Sequence, residues 1–166
     1  MMNIYRIRPY VEQDWPRVWG ILEPVFRLGE TYPFATDITE AETHKTWVET
    51  PPWVHVAELD GELVGTYYLK PNQSGQGSHV CNCGYVTGQR WRGRGIAAAM
   101  CAHSLQHARQ HGFLAMQYNL VVSTNLDAVH LWQKMGFAIA GRLPRAFHHP
   151  HLGYVDALVL YQWLGE

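Results

Sequence analysis

Charge is scarce in this 166-residue sequence, and neither sign dominates. Asp, Glu, Lys and Arg make up 16% of it, and 13 basic against 14 acidic residues leave a formal net charge of −1. This balance argues against a nonspecific binder of nucleic acid or anionic membranes. No apolar run approaches the ~18 residues of a membrane span, and the first residues lack the pattern of a signal peptide. We therefore expect a cytoplasmic protein with neither nucleic acid nor membrane as a partner.

Cysteine is also scarce, which bears on disulfides and metals. The three residues, Cys81, Cys83 and Cys101, are an odd number, and Cys81-x-Cys83 has no second pair to complete a zinc site. A second metal candidate is the run His148-His149-Pro150-His151, which has no acidic ligand nearby in sequence. We expect no disulfide framework and no metal, and the histidine run could instead line a substrate site.

What the sequence does contain is enough apolar material for one domain, residues 1–166. Apolar residues make up 47% and aromatic residues 13% of the chain. Asp14 is a candidate helix cap, and Pro24 should kink or restart the helix that follows; Asp60-Gly61 predicts a hairpin turn. Periodicity predicts strands at 4–8, 53–59, 62–69, 79–86, 115–122, 137–143 and 154–164, and helices from 14, at 39–49, from 96 and from 125. Hairpins mixed with crossover helices indicate a mixed sheet covered by helices on both faces.

The most informative segment is a glycine-rich turn between a strand and a helix. Gly93 and Gly95 let the backbone approach a ligand closely, and the free N–H groups of the helix start attract an anion such as a diphosphate. An ordinary turn with exposed arginines remains the alternative. NAD binding is disfavoured, because the next strand ends in LVVSTN without the acidic residue that holds a ribose.

Two motifs make the sequence resemble the GNAT superfamily of acetyl-CoA-dependent N-acetyltransferases. The first is Arg90-Trp91-Arg92-Gly93-Arg94-Gly95, and the second combines Asn125, Ala128, Trp132 and Gly136-Phe137. The resemblance implies a single-domain α/β (α+β) fold, a mostly antiparallel mixed sheet of six to seven strands with helices on both faces. It also implies acetyl-CoA as cosubstrate and a homodimer.

The resemblance further implies which residues bind the cosubstrate. These are Arg90, the turn residues Arg92, Gly93, Arg94, Gly95 and Ile96 for the pyrophosphate, Tyr85 and Val86 for the pantetheine arm, and Asn125. By its position alone, Asn125 could cap its helix, contact the CoA arm, or do both.

The run NLVVSTN at 119–125 and the later GYVDA at 153–157 make the sequence resemble one branch more closely, the branch that acetylates proline analogues such as azetidine-2-carboxylate. This resemblance implies that Asn82 and Asn119 help to hold a small amino or imino acid. They are expected on adjacent central strands, where a buried amide needs a partner; a structural amide is the alternative. A general small-molecule acetyltransferase is the more cautious interpretation.

The catalytic groups common among relatives are missing. The strand before the turn has no carboxylate, and Trp132 replaces the usual tyrosine. We expect Asn82 and Asn119 to position the amine while a backbone amide near Tyr85 or Val86 polarises the carbonyl, with the Tyr85 or Tyr118 hydroxyl as a possible acid. Asp156 could bind an amine or serve a structural bond. An inactive acyl-CoA sensor and a protein-lysine acetyltransferase remain alternatives.

Overall fold

The computed structural model describes residues 5–166, so Ile4 of the predicted first strand lies outside the described residues. Its strands are β1 (Arg6–Pro9), β2 (Trp53–Leu59), β3 (Glu62–Pro71), β4 (Val80–Thr87), β5 (Ala115–Val122), β6 (Ala138–His149) and β7 (Gly153–Trp163). Its helices are α1 (Trp15–Leu28), α2 (Glu40–His44), which continues as a π-helical segment Lys45–Glu49, α3 (Ile96–Gln110) and α4 (Leu126–Lys134). The predicted order of elements is confirmed. Among these helices, none has the length and apolar character needed to cross a membrane.

One seven-stranded sheet organises the chain, in the order β1-β2-β3-β4-β5-β7-β6. Every neighbouring pair is antiparallel except β4 and β5, which are parallel. The predicted hairpin around Asp60-Gly61 joins β2 to β3, and both turn residues have positive φ. The predicted mixed, mostly antiparallel sheet is confirmed.

Helices cover both faces of this sheet, because its central strands carry apolar side chains on both sides. One core packs α1 and the π-helical segment against the sheet, with Leu22, Phe26 and Trp47 almost fully buried. The other packs α3 and α4 against the opposite face around Met100 and Trp132. The sheet therefore separates two environments, which we call the α1 face and the α3 face.

Of the two effects predicted for Pro24, a kink or a restart of the helix, the structure excludes the restart. The helix runs through this residue without restarting. Proline removes the hydrogen bond to the carbonyl four residues earlier, which belongs to Gly20. Both residues are exposed, so water can bind that carbonyl, and Gly20 has no side chain to crowd the proline ring.

Asp14 precedes α1 as predicted, but its carboxylate does not cap the helix. It is buried and accepts hydrogen bonds from the Arg8 guanidinium at 2.8 Å and from the Val11 N–H at 2.9 Å. These contacts, led by Arg8, hold the pKa of Asp14 below its ordinary value. The carboxylate thus joins β1 to the start of α1.

Candidate functional site

A gap opens between the parallel strands β4 and β5 near the centre of the sheet. Their ladder contains only the pairs Val80–Ala115 and Cys81–Met116. Just beyond it, the Asn82 side-chain amide donates a hydrogen bond of 2.9 Å to the Gln117 carbonyl. From there the strands separate, so an extended ligand could bind to β4 as an added strand.

The phase of the β3–β4 ladder shows which backbone groups face this gap. Gly88 N–H donates to Val64 O and Asn72 N–H to Val80 O, each at 2.8 Å. In an antiparallel ladder hydrogen-bonded pairs alternate, so even-numbered β4 residues bond to β3 and odd-numbered ones face away. The structure therefore directs the backbone of Tyr85 toward the gap, whereas that of Val86 pairs with β3.

Tyr32, in the loop between α1 and α2, reaches the same point from the α1 face. Its hydroxyl donates a hydrogen bond of 2.7 Å to the Tyr85 carbonyl. Its ring stacks on Phe34 and contacts Trp47 edge-on, and burial raises the pKa of the Tyr32 hydroxyl well above its ordinary value. Sequence reasoning missed this residue, because the segment GETYPFATD has the pattern of a loop and the partner of Tyr32 lies 53 positions away.

The glycine-rich turn forms an open cradle at the start of α3. Gly93 and Gly95 have φ of +75° and +82°, a region that side chains rarely adopt, and a Cβ at either position would meet nothing within 4 Å. The first N–H groups of α3 have no preceding carbonyl to bind, and the helix dipole adds positive potential there. This backbone fits a pyrophosphate.

The arginine side chains of the turn contribute less directly to the cradle than its backbone does. Arg90 forms an ion pair with Glu62 and stacks on the Trp91 ring. The Arg94 guanidinium lies 4.9 Å from the centre of the same ring, and Arg92 is exposed. Two of the three arginines, Arg90 and Arg94, are therefore held against the Trp91 ring, which leaves the backbone of the turn as the candidate group for an anion.

Asn82 and Asn119 both belong to the α1 face, but the structure does not join them directly. Asn82 is buried, as expected. Asn119 is exposed, so the expectation of a buried amide is wrong at that position. The Asn119 amide donates to Asn72 Oδ1 at 2.7 Å and accepts from Gln117 Nε2 at 3.0 Å. Gln117 thus links the two asparagines, since its carbonyl accepts from Asn82.

The Tyr85 and Tyr118 hydroxyls lie on the α3 face, away from the asparagines. The Tyr118 hydroxyl donates to that of Tyr85 at 2.9 Å, and Tyr85 also bonds Ser104 Oγ at 2.5 Å. Burial raises the pKa of both phenols well above the ordinary value. Trp132, which stands where the family resemblance implies a tyrosine, packs against both rings.

The remaining candidates have structural partners. Asn125 caps α4, its Oδ1 accepting from Ala128 N–H at 3.4 Å. The Asp156 carboxylate pairs with Arg142 at 2.8 Å and accepts from the Arg145 N–H, which lowers its pKa. His149 accepts backbone N–H groups within its own turn. Across residues 5–166, no group of three or more His, Cys, Asp or Glu side chains is arranged to hold a metal ion.

Comparison with known proteins finds one matching family model and several similar sequences. The sequence profile described as "Acetyltransferase (GNAT) family" matches residues 15–137. The chain is 31% identical over 153 residues to N-acetyltransferase aca1 of Schizosaccharomyces pombe, covering 82% of this chain and 73% of that protein. It is 29% identical over 86 residues to L-amino acid N-acetyltransferase AaaT of Escherichia coli, covering 52% of this chain and 53% of that protein.

A solved structure extends the similarity to nearly the whole chain. The GCN5-related N-acetyltransferase from Kribbella flavida superposes with a TM-score of 0.91 at 35% identity, covering 96% of this chain and 97% of that one. The Salmonella typhimurium acetyltransferase yncA, solved with acetyl-CoA, shares the fold at 16% identity and a TM-score of 0.82.

Proposed function

Since the chain belongs to the acetyltransferase (GNAT) family and is an acetyl-CoA-dependent N-acetyltransferase, we propose that its acceptor is the amine of a small amino or imino acid. The observation that carries this proposal is a row of neutral polar side chains on the α1 face beside the gap. It consists of Tyr68, Asn82, Gln117 and Asn119. Such groups can orient a small polar molecule without the acidic residues that a basic peptide would need.

The cosubstrate site proposed for this chain combines the turn and the gap. The N–H groups of residues 92–96 bind the pyrophosphate, and the backbone of Tyr85 at the gap binds the pantetheine end. Acetyl-CoA supplies the acetyl group as a thioester. Arg90, paired with Glu62, supports the turn, and Asn125 supports the start of the neighbouring helix α4. Neither side chain binds the anion directly in this proposal.

For transfer, the residues of the chain must orient the amine and stabilise charge. The Tyr85 N–H, directed into the gap, donates to the oxygen on which negative charge develops. Asn82 and Asn119 orient the amine on the α1 face for direct attack on the acetyl carbon. The new C–N bond replaces the C–S bond, CoA leaves as the thiolate, and the proton that the attacking nitrogen releases neutralises that thiolate. An aliphatic amine with a pKa of about 10 must lose a proton first, and with no carboxylate on β4 we propose that water accepts it.

A panel of acceptors tests this proposal. Release of the CoA thiol from acetyl-CoA is followed with azetidine-2-carboxylate, L-proline, L-alanine, spermidine and a lysine peptide, at equal concentrations. We expect the highest kcat/KM for an amino or imino acid. The highest value for the lysine peptide would contradict the small-molecule assignment, and no turnover with tight acetyl-CoA binding would support a sensor.

We also propose a homodimer formed through the sheet edge. Strand β6 is the last strand of the sheet and is exposed along most of its length, with Ile139 and Leu143 on its surface. Exposed apolar edges favour pairing. Light scattering at tens of micromolar should give twice the 19.0 kDa chain mass. The three cysteines are buried and free, which supports the proposed cytoplasmic location.

A further inference from the structure

Lys70 occupies a distinctive place beside the proposed acceptor site. It is the direct cross-strand partner of Asn82, on the neighbouring strand β3. Directly paired residues share one face of a sheet, with Cβ atoms about 5 Å apart. The Lys70 side chain therefore starts on the α1 face, next to the amide at which the gap opens.

The ammonium group is held against the polar row. Lys70 Nζ lies 5.4 Å from the centre of the Tyr68 ring, and the Tyr68 hydroxyl donates to Asn82 Oδ1 at 3.5 Å. Gly84 allows this arrangement, because a Cβ there would come within 2.6 Å of the Tyr68 ring. Lysine, tyrosine ring and asparagine thus form one continuous wall of the site.

This cation has no acidic counterpart in the part of the chain that the structure describes. None of the ion pairs between residues 5 and 166 involves Lys70, and its side chain is half-buried. A partly buried charge without a partner is unfavourable, so the position favours an anion from outside the chain.

We propose that Lys70 binds the carboxylate of the acceptor and so selects amino and imino acids over simple amines and peptides. The inference rests on the proposed function. In an α-amino acid the carboxylate and the amine are attached to the same carbon. A carboxylate on Lys70 therefore keeps the amine beside Asn82 and the gap, where the Tyr85 backbone lies.

The test compares each acceptor with its carboxamide, which keeps the amine but removes the negative charge. Wild type, Lys70→Met, Lys70→Arg and the control Lys134→Met, an exposed lysine at the end of α4, are assayed with L-proline and L-prolinamide and with L-alanine and L-alaninamide. We expect Lys70→Met to lose about 10- to 100-fold in kcat/KM for the acids, the range of a charge-assisted contact. It should lose little for the amides, with the KM for acetyl-CoA and the Tm unchanged.

The other variants separate charge from packing. Lys70→Arg should keep most of the preference for acids, and Lys134→Met should behave as wild type. If Lys70→Met lowers kcat/KM equally for the acids and the amides, or lowers neither, the role of Lys70 is overturned while the amino-acid assignment stands. If the wild type acetylates neither acid, both proposals are overturned.

Discussion

The hydroxyl of Tyr32 donates a hydrogen bond of 2.7 Å to the backbone carbonyl of Tyr85. This contact joins the loop after α1 to the strand that lines the gap, across 53 positions of sequence. The loop is further fixed by aromatic packing of Tyr32 against Phe34 and Phe26. The position of the loop and the shape of the site are therefore coupled.

Removing that hydroxyl should weaken the coupling without unfolding the protein. A hydrogen bond contributes about 1 kcal/mol net, so Tyr32→Phe should lower the Tm by about 2–4 °C and kcat/KM for the acceptor by about fivefold. Tyr10→Phe, which removes a hydroxyl bonded to exposed Glu12, is the matched control. Unchanged acceptor kinetics in Tyr32→Phe would show that the loop is not part of the site.

The cradle at the start of α3 depends on the left-handed conformation of Gly95. Gly95→Val places a branched side chain at φ of +82°, where it is strained and where the pyrophosphate should approach. We expect at least a tenfold loss of acetyl-CoA affinity, about 1.4 kcal/mol, measured by calorimetry. Gly112→Val carries similar strain at φ of +80° at the other end of α3 and should retain affinity. Equal affinities of Gly95→Val and the wild type would refute the assignment of the turn.

The two asparagines should respond differently to removal. Asn119 is exposed, so Asn119→Ala should leave the Tm and acetyl-CoA affinity nearly unchanged while lowering kcat/KM for the acceptor. Asn82 is buried and bonded to the Gln117 carbonyl, so Asn82→Ala should also lower stability by about 1–3 kcal/mol. Kinetics, affinity and Tm are measured on the same preparations. An Asn119→Ala variant with a lowered Tm and intact acceptor kinetics would remove Asn119 from the site.

A cluster of histidines on the α3 face makes stability depend on pH. The rings of His55, His103, His107 and His111 approach one another at centre-to-centre distances of 4.2–6.2 Å. Burial, reinforced by neighbouring histidines, lowers the pKa of His55 to about 3 and that of His107 to about 4. Both rings are therefore neutral in the folded protein near pH 7.

Protonation of these rings favours the unfolded chain, where a histidine has a pKa near 6.5. Their contribution to stability is complete above about pH 6.5 and is lost progressively as the pH falls toward 3–4. We expect the free energy of unfolding, from urea titrations between pH 7.5 and 5, to fall less steeply in His55→Gln than in the wild type. His130→Gln, which changes an exposed histidine, should keep the wild-type slope; the same slope in all three proteins would contradict this prediction.

Local patterns were sufficient to predict the strands and the glycine turn, and to offer the Asn125 cap as one of two roles, because each depends on residues close together in sequence. Tyr32 could not be predicted, since its role comes from a contact between distant segments. The exposure of Asn119 could not be predicted from the sequence either. A register shift between Tyr118 and Val121 interrupts the pairing of β5 with β7 there. The restart predicted at Pro24 was wrong, because the effect of a proline inside a helix depends on whether the carbonyl that it leaves unpaired faces water.

A crystal structure of the protein with CoA and the acceptor of highest kcat/KM tests the central claim most directly. We predict the pyrophosphate on the backbone N–H groups of residues 92–96, the pantetheine arm in the gap beside Tyr85, and the acceptor on the α1 face against Asn82. An acceptor bound on the α3 face near the Tyr85 hydroxyl, or a pyrophosphate bound away from the glycine turn, would contradict the account.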